Sequence, residues 1–401
     1  MSDLKVLIIP SWYPTPKQPL TGSFFHEQAQ FLQGKEGLDF QVLYGEKKSY
    51  TLILWIWVFV KSRLKPTWPI STSKVRQGPT AYGFDIPANR RVPDQLQINL
   101  EKKIFLKAYR SLVLSGWVPD LIHAQSGMDA GIYAHHISQE TNIPFLIMEH
   151  QVFVFHYYSK LRGTLIMDAF QSAQKTAAVS WDERRQVMMN QPQCNPKVIW
   201  NLVDEAQYMI DLGKRRKAFT VITLLNSLFI KGAEDFIEAM AIVLQYDPEI
   251  RFIMIGKGGD KKSSNVQENL FVRKSKELGI FEKGEFLPVV PRDQISNVLN
   301  QAHVFVSPSI QEPHGIAVRE AMMCGLPIIS TANGGVEDSV TPETGLVVPV
   351  KQPETMAAAI IAMKKNYSRY KPERIRELAI NQCGKEAFLG SMVDFYHFEN
   401  Q

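Results

Sequence analysis

Short apolar runs alternate with amphipathic stretches along the whole chain. LKVLII (4–9) precedes a helical pattern over 23–33 and then DFQVLYG (39–45). PDLIHAQ, the helical MDAGIYAHHISQET, IPFLIMEH and TAAVS follow, bringing the pattern to residue 180. The second half repeats it. FTVITLL, a helix over 233–244, RFIMIG, a helix over 272–278, GEFLP, a helix over 292–301 and AHVFVSPS lead to a helix at 316–324, then LPIIST and GLVVPV. Buried strands alternating with helices predict parallel sheets covered on both faces. Two such series predict two doubly wound domains. Ligands of such domains sit at the carboxyl ends of the strands, and the cleft between the two is the expected site. The expected boundary follows VIWNLVDEAQY (198–208), where the polar, basic DLGKRRKA precedes the next strand.

One segment breaks the alternation. In KKSYTLILWIWVFVKSRLK (47–65), residues 50–60 are almost uninterruptedly apolar and the flanks are basic. As a helix those eleven residues reach about 16 Å, short of the ~30 Å of a bilayer core. They predict either a helix lying in a membrane interface, which the tryptophans and cationic flanks favour, or a helix packed on its own domain or on a second subunit.

Length and composition narrow the class. The 401 residues exceed one ordinary core and suit two domains. The three scattered cysteines point to a reducing compartment, not a disulfide framework. The first apolar run breaks at Pro10, unlike a secretory leader. Residues 1–200 carry 22 Lys+Arg against 15 Asp+Glu and all seven tryptophans, whereas residues 201–401 carry 23 against 25. The basic half is expected to meet an anionic partner, a membrane surface or a phosphorylated substrate. Nucleic acid is not expected, because no recognition motif accompanies the charge.

The stretch SIQEPHGIAVREAMMCGLP (309–327) carries the chemistry. Glu312 falls on a strand-to-helix loop, Gly315 allows close backbone approach, and Glu320 lies one turn into the helix. Free amides and the positive dipole end at a helix start fit a phosphate. Glu320, about 6 Å along the axis from Ile316, could then accept from ribose hydroxyls. A surface glutamate followed by a capping one reads the same local stretch equally well.

Five ordered blocks resolve that choice. EPHGIAVREAMMCGLPII with TANGGVED, VIWNLVDEAQY, FIMIGKGG, LLNSLFIKG and the amino-terminal PSWYPTPKQPLTGSFFHEQAQFL together resemble glycosyltransferase family 4, retaining enzymes of GT-B architecture. The resemblance implies α/β architecture with two Rossmann-like domains facing across a cleft: an acceptor-binding domain over 1–205, a nucleotide-sugar domain over 206–383, and a terminal helix over 384–401 crossing back to the first. It implies that Glu320 holds ribose and Glu312 lies near the donor sugar. His314, Gly315, Ile316 and Ala317 would meet sugar hydroxyls and phosphate. Lys231 would neutralise the diphosphate, which Gly22 faces.

Three positions depart from the family pattern. Asn226 replaces an arginine beside the diphosphate, Gln125 replaces a histidine in the stretch His123-Ala124-Gln125, and His314 replaces an aromatic residue. His150 keeps the family's strand-end histidine, a catalytic candidate beside Lys231 and Glu312.

The implied activity is retaining transfer of a sugar from a UDP- or GDP-linked donor to a saccharide or lipid-linked hydroxyl, in bacterial-type cell-surface polysaccharide or glycolipid synthesis. No obligatory metal or other cofactor is expected. The cytoplasm is the expected location, with residues 50–65 as the place of contact with the inner membrane face. The readings set against it are a non-catalytic nucleotide-sugar binder or assembly partner and a GT-B sugar-nucleotide epimerase.

Overall fold

The computed structural model describes residues 3–15, 17–18, 21–73, 78–153, 158–225, 229–256 and 269–397. The chain divides into two compact units. The first comprises Met1–Val179, Glu183–Ile199 and Val393–Gln401; the second comprises Ser180–Asp182 and Trp200–Met392. The division thus falls a few residues before position 205, and the tail from Val393 belongs to the first unit.

The first unit contains strands β1 (Leu4–Pro10), β2 (Leu38–Ser49), β3 (Ser71–Ser73), β4 (Thr80–Ala88), β5 (Leu121–Gln125), β6 (Phe145–Glu149), β7 (Lys175–Ala178) and β8 (Lys197–Val198). They form one sheet in the order β3-β4-β2-β1-β5-β6-β7-β8. Every pairing is parallel except β3 with β4. Its helices are α1 (Ser23–Leu32), α2 (Leu52–Leu64), α3 (Asp94–Leu114), α4 (Ile132–Thr141), α5 (Lys160–Ser172) and α6 (Trp181–Asn190), the last beginning across the division.

Alternation along the strands sorts side chains to two faces. Leu7, Ile9, Ile122, Ala124 and Ile147 join Ile104, Phe105 and Tyr133 in one core. The Phe105 and Tyr133 rings stack there at 3.9 Å. On the opposite face His123 of β5 meets Tyr396, its Nδ1 lying 2.8 Å from the phenol oxygen. Phe40 of β2 packs on the same tyrosine, with ring centroids 5.7 Å apart.

The second unit contains β9 (Thr220–Leu224), β10 (Arg251–Ile255), β11 (Gly284–Leu287), β12 (Val304–Ser307), β13 (Ile328–Thr331) and β14 (Gly345–Val348). Their order is β11-β10-β9-β12-β13-β14, all parallel. Helices α7 (Ala233–Tyr246), α8 (Leu270–Glu277), α9 (Arg292–Leu299), α10 (Ile316–Met323), α11 (Pro353–Lys365) and α12 (Pro372–Cys383) intervene or follow, and α13 (Lys385–Tyr396) closes the chain. The sheet is covered on both sides. Phe252 and Met254 of β10 enter one core, while Ile253 and Ile255 enter the other. Each fully buried side chain of this size stabilises by about 1.5–3 kcal/mol.

The buried titratable group at the centre of the first sheet sets an acid limit. His123 is 1% exposed, and burial lowers its pKa from 6.5 to about 3. The unfolded chain binds a proton below about pH 6.5 that folded His123 does not, so stability falls as pH drops from about 6.5 towards about 3. His136 and His303, lowered by burial to about 4, act in the same direction. His123→Gln is expected to flatten the limb by up to about 1.4 kcal/mol per pH unit. Urea midpoints between pH 7 and pH 4 measure this, and an unchanged slope would contradict it.

Candidate active site

In the second sheet the chain runs outward through β9, β10 and β11 in one direction, then through β12, β13 and β14 in the other. The reversal lies between β9 and β12, the place where doubly wound sheets bind ligands beyond their strand ends. The loops leaving those two strands carry Lys231 and Glu312.

Three glycines bring the loops together. Gly232 caps α7 in the left-handed region at φ 64°, and a Cβ there would lie 2.0 Å from the Pro308 carbonyl oxygen. Beside it the Ile310 amide donates to the Ile230 carbonyl at 2.8 Å. This seam delivers Lys231 Nζ to Glu312 Oε2 at 2.5 Å. The far side of the Glu312 loop is held by β13's exit. Glu312 N–H donates to the Asn333 carbonyl at 3.0 Å, and a Cβ on Gly335 would lie 2.2 Å from the Glu312 oxygen. Gly315, at φ 73°, caps α10. The first turn of α10 carries no acidic side chain, so no carboxylate within that turn offsets the positive end of the helix at Ile316 and Ala317.

Beneath this loop two buried charges fix its shape. Arg319 is fully buried and donates to the carbonyls of His314 and Gly335. Burial pulls its pKa down to about 10. Glu320 is 4% exposed. Its Oε1 accepts from the Tyr208 hydroxyl at 2.8 Å and pairs with Arg292 at 3.0 Å. Burial raises its pKa, while the Arg292 charge and the Tyr208 hydrogen bond oppose that shift. His314 Nε2 accepts from the Asn201 amide at 3.2 Å, which places the ring proton on Nδ1. Asn226 lies outside the described residues.

The first unit has its own reversal, between β1 and β5. Gly22, at φ 68°, begins α1 there, and a Cβ would lie 2.6 Å from the Trp12 carbonyl oxygen. The His150 ring sits edge-on to Phe25 at 4.8 Å and 5.5 Å from Phe24, beside that helix start. Glu149, which ends β6, accepts from the amides of Gly127, His150 and Gln151 at 2.7, 3.0 and 3.0 Å. A cavity of about 330 Å³ opens at the exits of β1 and β2, lined by Trp12, Tyr13, Thr21, Tyr44, Lys47 and Asp129 among others. Gln125, at the end of β5, is buried, and its Oε1 has no hydrogen-bond partner among the described residues. His123, in mid-strand, faces Tyr396.

The structure therefore brings Lys231, Glu312, His314, Gly315, Ile316, Ala317 and Glu320 to one switch point. It gathers Gly22 and His150 at the strand ends of the other unit and puts His123 inside it. Tyr208, Arg292, Arg319 and Glu149 complete these arrangements but are not singled out by the sequence reading. Tyr208 ends the VIWNLVDEAQY block and was within reach. A lone arginine or glutamate in a helical or strand pattern gives no such signal. Among the described residues no three His, Cys, Asp or Glu side chains converge as a metal-binding group.

Two Rossmann-like domains with parallel sheets are the architecture of a GT-B protein. Residues 205–382 match the family described as glycosyl transferases group 1. By its second domain the chain is similar to this family, and it is a glycosyltransferase. A protein of Bacillus subtilis (strain 168) named as a teichuronic acid biosynthesis glycosyltransferase, TuaC, is 27% identical over 391 residues, which span 93% of this chain and 90% of that one. Sucrose-phosphate synthase from Thermosynechococcus elongatus superposes with a TM-score of 0.77 at 18% identity over 98% of both chains. Anabaena Alr3699/HepE, solved with UDP and glucose, superposes with 0.70 at 16% identity over 98% of this chain and 99% of that one. At those identities the two structures show a shared fold.

The seam between the loops is testable. Gly232→Ala combines a positive φ with a clash against backbone, and is expected to cost about 1–3 kcal/mol. A thermal or urea midpoint equal to that of the natural chain would show that the loops accommodate the methyl group.

Proposed function

We propose that the chain transfers a glycosyl group from a nucleoside diphosphate sugar to an acceptor hydroxyl with retention at the anomeric carbon. The observation that carries this reading is the Lys231–Glu312 pair beside the open start of α10, with buried Glu320 one turn further on. The diphosphate meets the α10 amides and Lys231. Glu320 accepts from the ribose hydroxyls, and Glu312 and the His314–Ala317 loop meet the donor sugar. In the first domain we read Gly22 and His150 as donor-side residues, as the family pattern implies, and the 330 Å³ cavity as the place of the acceptor.

The bond from the anomeric carbon to phosphate oxygen breaks, and its electron pair leaves with the nucleoside diphosphate. The acceptor oxygen forms the new bond, and its proton passes to the departing phosphate. The protein's contribution is positioning and stabilisation of the charge growing on that phosphate. Asn226, where the family pattern has an arginine, can donate a hydrogen bond but carries no charge, which leaves Lys231 as the assigned cation. Alr3699/HepE supports a uridine donor by its fold and its bound UDP. TuaC supports a cell-surface polysaccharide or glycolipid as the product class.

The acceptor side is read as membrane-borne, at the inner face of the cytoplasmic membrane. No helix among the described residues is long and apolar enough to cross a bilayer. Helix α2 instead buries Trp55 and Val58 and exposes Ile53, Ile56, Trp57, Val60 and Leu64. These exposed positions recur at helical spacing on one face. Lys61 lies over the Trp57 ring at 4.3 Å, and Arg63 over Phe59 at 4.7 Å. An apolar face with cations at one end suits an anionic bilayer surface.

Thermal stabilisation against UDP, GDP, ADP and their sugars tests the donor site. One nucleotide is expected to raise the melting temperature, and Glu320→Ala is expected to abolish the shift. Lys231→Ala is expected to lower turnover by roughly 100-fold. No shift with any nucleotide, or turnover near that of the natural chain in Lys231→Ala, would remove these roles. For the membrane face, replacing Ile53 and Trp57 by serine is expected to weaken binding to phosphatidylglycerol vesicles by at least tenfold, given roughly 1.5–3 kcal/mol per buried side chain. Unchanged vesicle binding, or a change only in oligomeric state by light scattering, would assign α2 to another surface.

A further inference from the structure

Beside the acceptor cavity lies a second one, of about 560 Å³, wholly within the first unit. Lys47 lines both cavities. The floor is a charge network built on one buried carboxylate. Glu101, fully buried, pairs with Arg162 at 3.1 Å and Lys47 at 3.3 Å, and accepts from the Tyr133 hydroxyl and the Gln97 amide. Arg162 also pairs with Asp94 and Asp129, and Lys47 with Asp129. The network therefore satisfies its own cations.

The rim does not. Arg90 and Arg91 are exposed, line the same cavity, and have no acidic partner among the described residues. The loop carrying them is not loose. Tyr50 N–H donates to the Ala88 carbonyl at 2.9 Å, the Asn89 side-chain amide donates to the Tyr50 carbonyl at 2.6 Å, and the Arg91 amide donates to Asn89 Oδ1 at 2.9 Å. These bonds fasten the two arginines to the root of α2, whose opposite face is the exposed apolar one.

We infer that this second cavity binds a phosphate group of the acceptor, held by Arg90 and Arg91. Guanidinium groups are suited to this because their paired donors match phosphate oxygens. An unpaired pair of arginines on an anchored loop, over a floor whose two cations are matched by three carboxylates, offers positive charge at the rim alone. An acceptor with its saccharide hydroxyl in the 330 Å³ cavity and its phosphate at this rim would pass Lys47, the wall common to both. A lipid tail on that phosphate would leave along α2. The inference deepens the proposed glycosyl transfer and rests on it for the word acceptor, but the anion site stands on its own residues.

The test uses the full chain and two probes, soluble glycerol 3-phosphate by calorimetry and vesicles of phosphatidylglycerol or phosphatidylcholine by sedimentation. The natural chain is expected to bind glycerol 3-phosphate, and the double variant Arg90→Gln/Arg91→Gln to bind it at least tenfold more weakly. Removing the same number of charges from α2, with Lys61→Gln/Arg63→Gln, is expected to leave that affinity unchanged. Binding to phosphatidylglycerol vesicles that is weakened by Arg90→Gln/Arg91→Gln would support the site with a lipid as the phosphate source; vesicle binding unchanged in that variant, with glycerol 3-phosphate binding still lost, would support it with a soluble saccharide phosphate. Absence of glycerol 3-phosphate binding, or binding lost in Lys231→Ala but kept in the arginine variant, would overturn the inference. A nucleotide shift retained in the arginine variant shows that it is folded. Arginine-dependent phosphate binding without any nucleotide shift in the natural chain would instead separate a sound anion site from a failed donor reading.

Discussion

The contact on which the second domain's site depends is between two loops, not between protein and ligand. The Gly232 backbone rests against the Pro308 carbonyl, and the Ile310 amide ties to Ile230. Lys231 and Glu312 are adjacent in space because their main chains are already held. A lysine on a free loop would place its charge over many positions and lose rotamer freedom on binding. Here much of that ordering precedes any ligand, which is how an electrostatic stabiliser becomes preorganised. Glu312 also limits the energetic cost of holding an ammonium group only 23% exposed.

Buried charge recurs as a way of holding loops. Arg319 gathers the carbonyls of two loops from below. Glu149 does the converse, gathering three amides with one carboxylate. In the first unit Arg162 joins Asp94, Glu101 and Asp129. Asp129 is a non-glycine residue at φ 56°, a conformation that persists only where its surroundings overdetermine it. Arg162 and Lys47 provide that constraint. Removing one partner from such a group would leave a charge without compensation, so these positions tolerate exchange poorly whatever their distance from the reacting atoms.

Much of the fold was legible because buried parallel strands are short continuous apolar runs. LKVLII, RFIMIG and AHVFVSPS became β1, β10 and β12 with little displacement of their ends. Strand β4 and the long α3 were missed. TAYGFDIPA carries a glycine, an aspartate and a proline, and α3 buries Gln97, Glu101 and Lys107 on its inner face. Polar residues satisfied by one another do not register as a hydrophobic stripe. The turn at Gly315 before α10 was legible for the opposite reason, since a glycine before a helix states a backbone requirement, whereas Gly22 and Lys231 were named only through the family resemblance. Arg292 and Tyr208 come from separate segments and meet at Glu320 only in three dimensions. Local spacing cannot express that meeting.

The tail has a consequence for biosynthesis. Tyr396 belongs to the first unit and fills the sheet face lined by Phe40 and His123. A ribosome makes that tyrosine after nearly all of the second unit. The domain begun first is therefore completed last, and until then it presents an unfilled apolar surface with a buried-type histidine at its centre. The second unit's sheet, by contrast, has all its strands in hand once Val348 has emerged. During synthesis the order of completion is the reverse of the order of translation, and a chain stopped at Met392 would leave its first domain, not its second, unfinished.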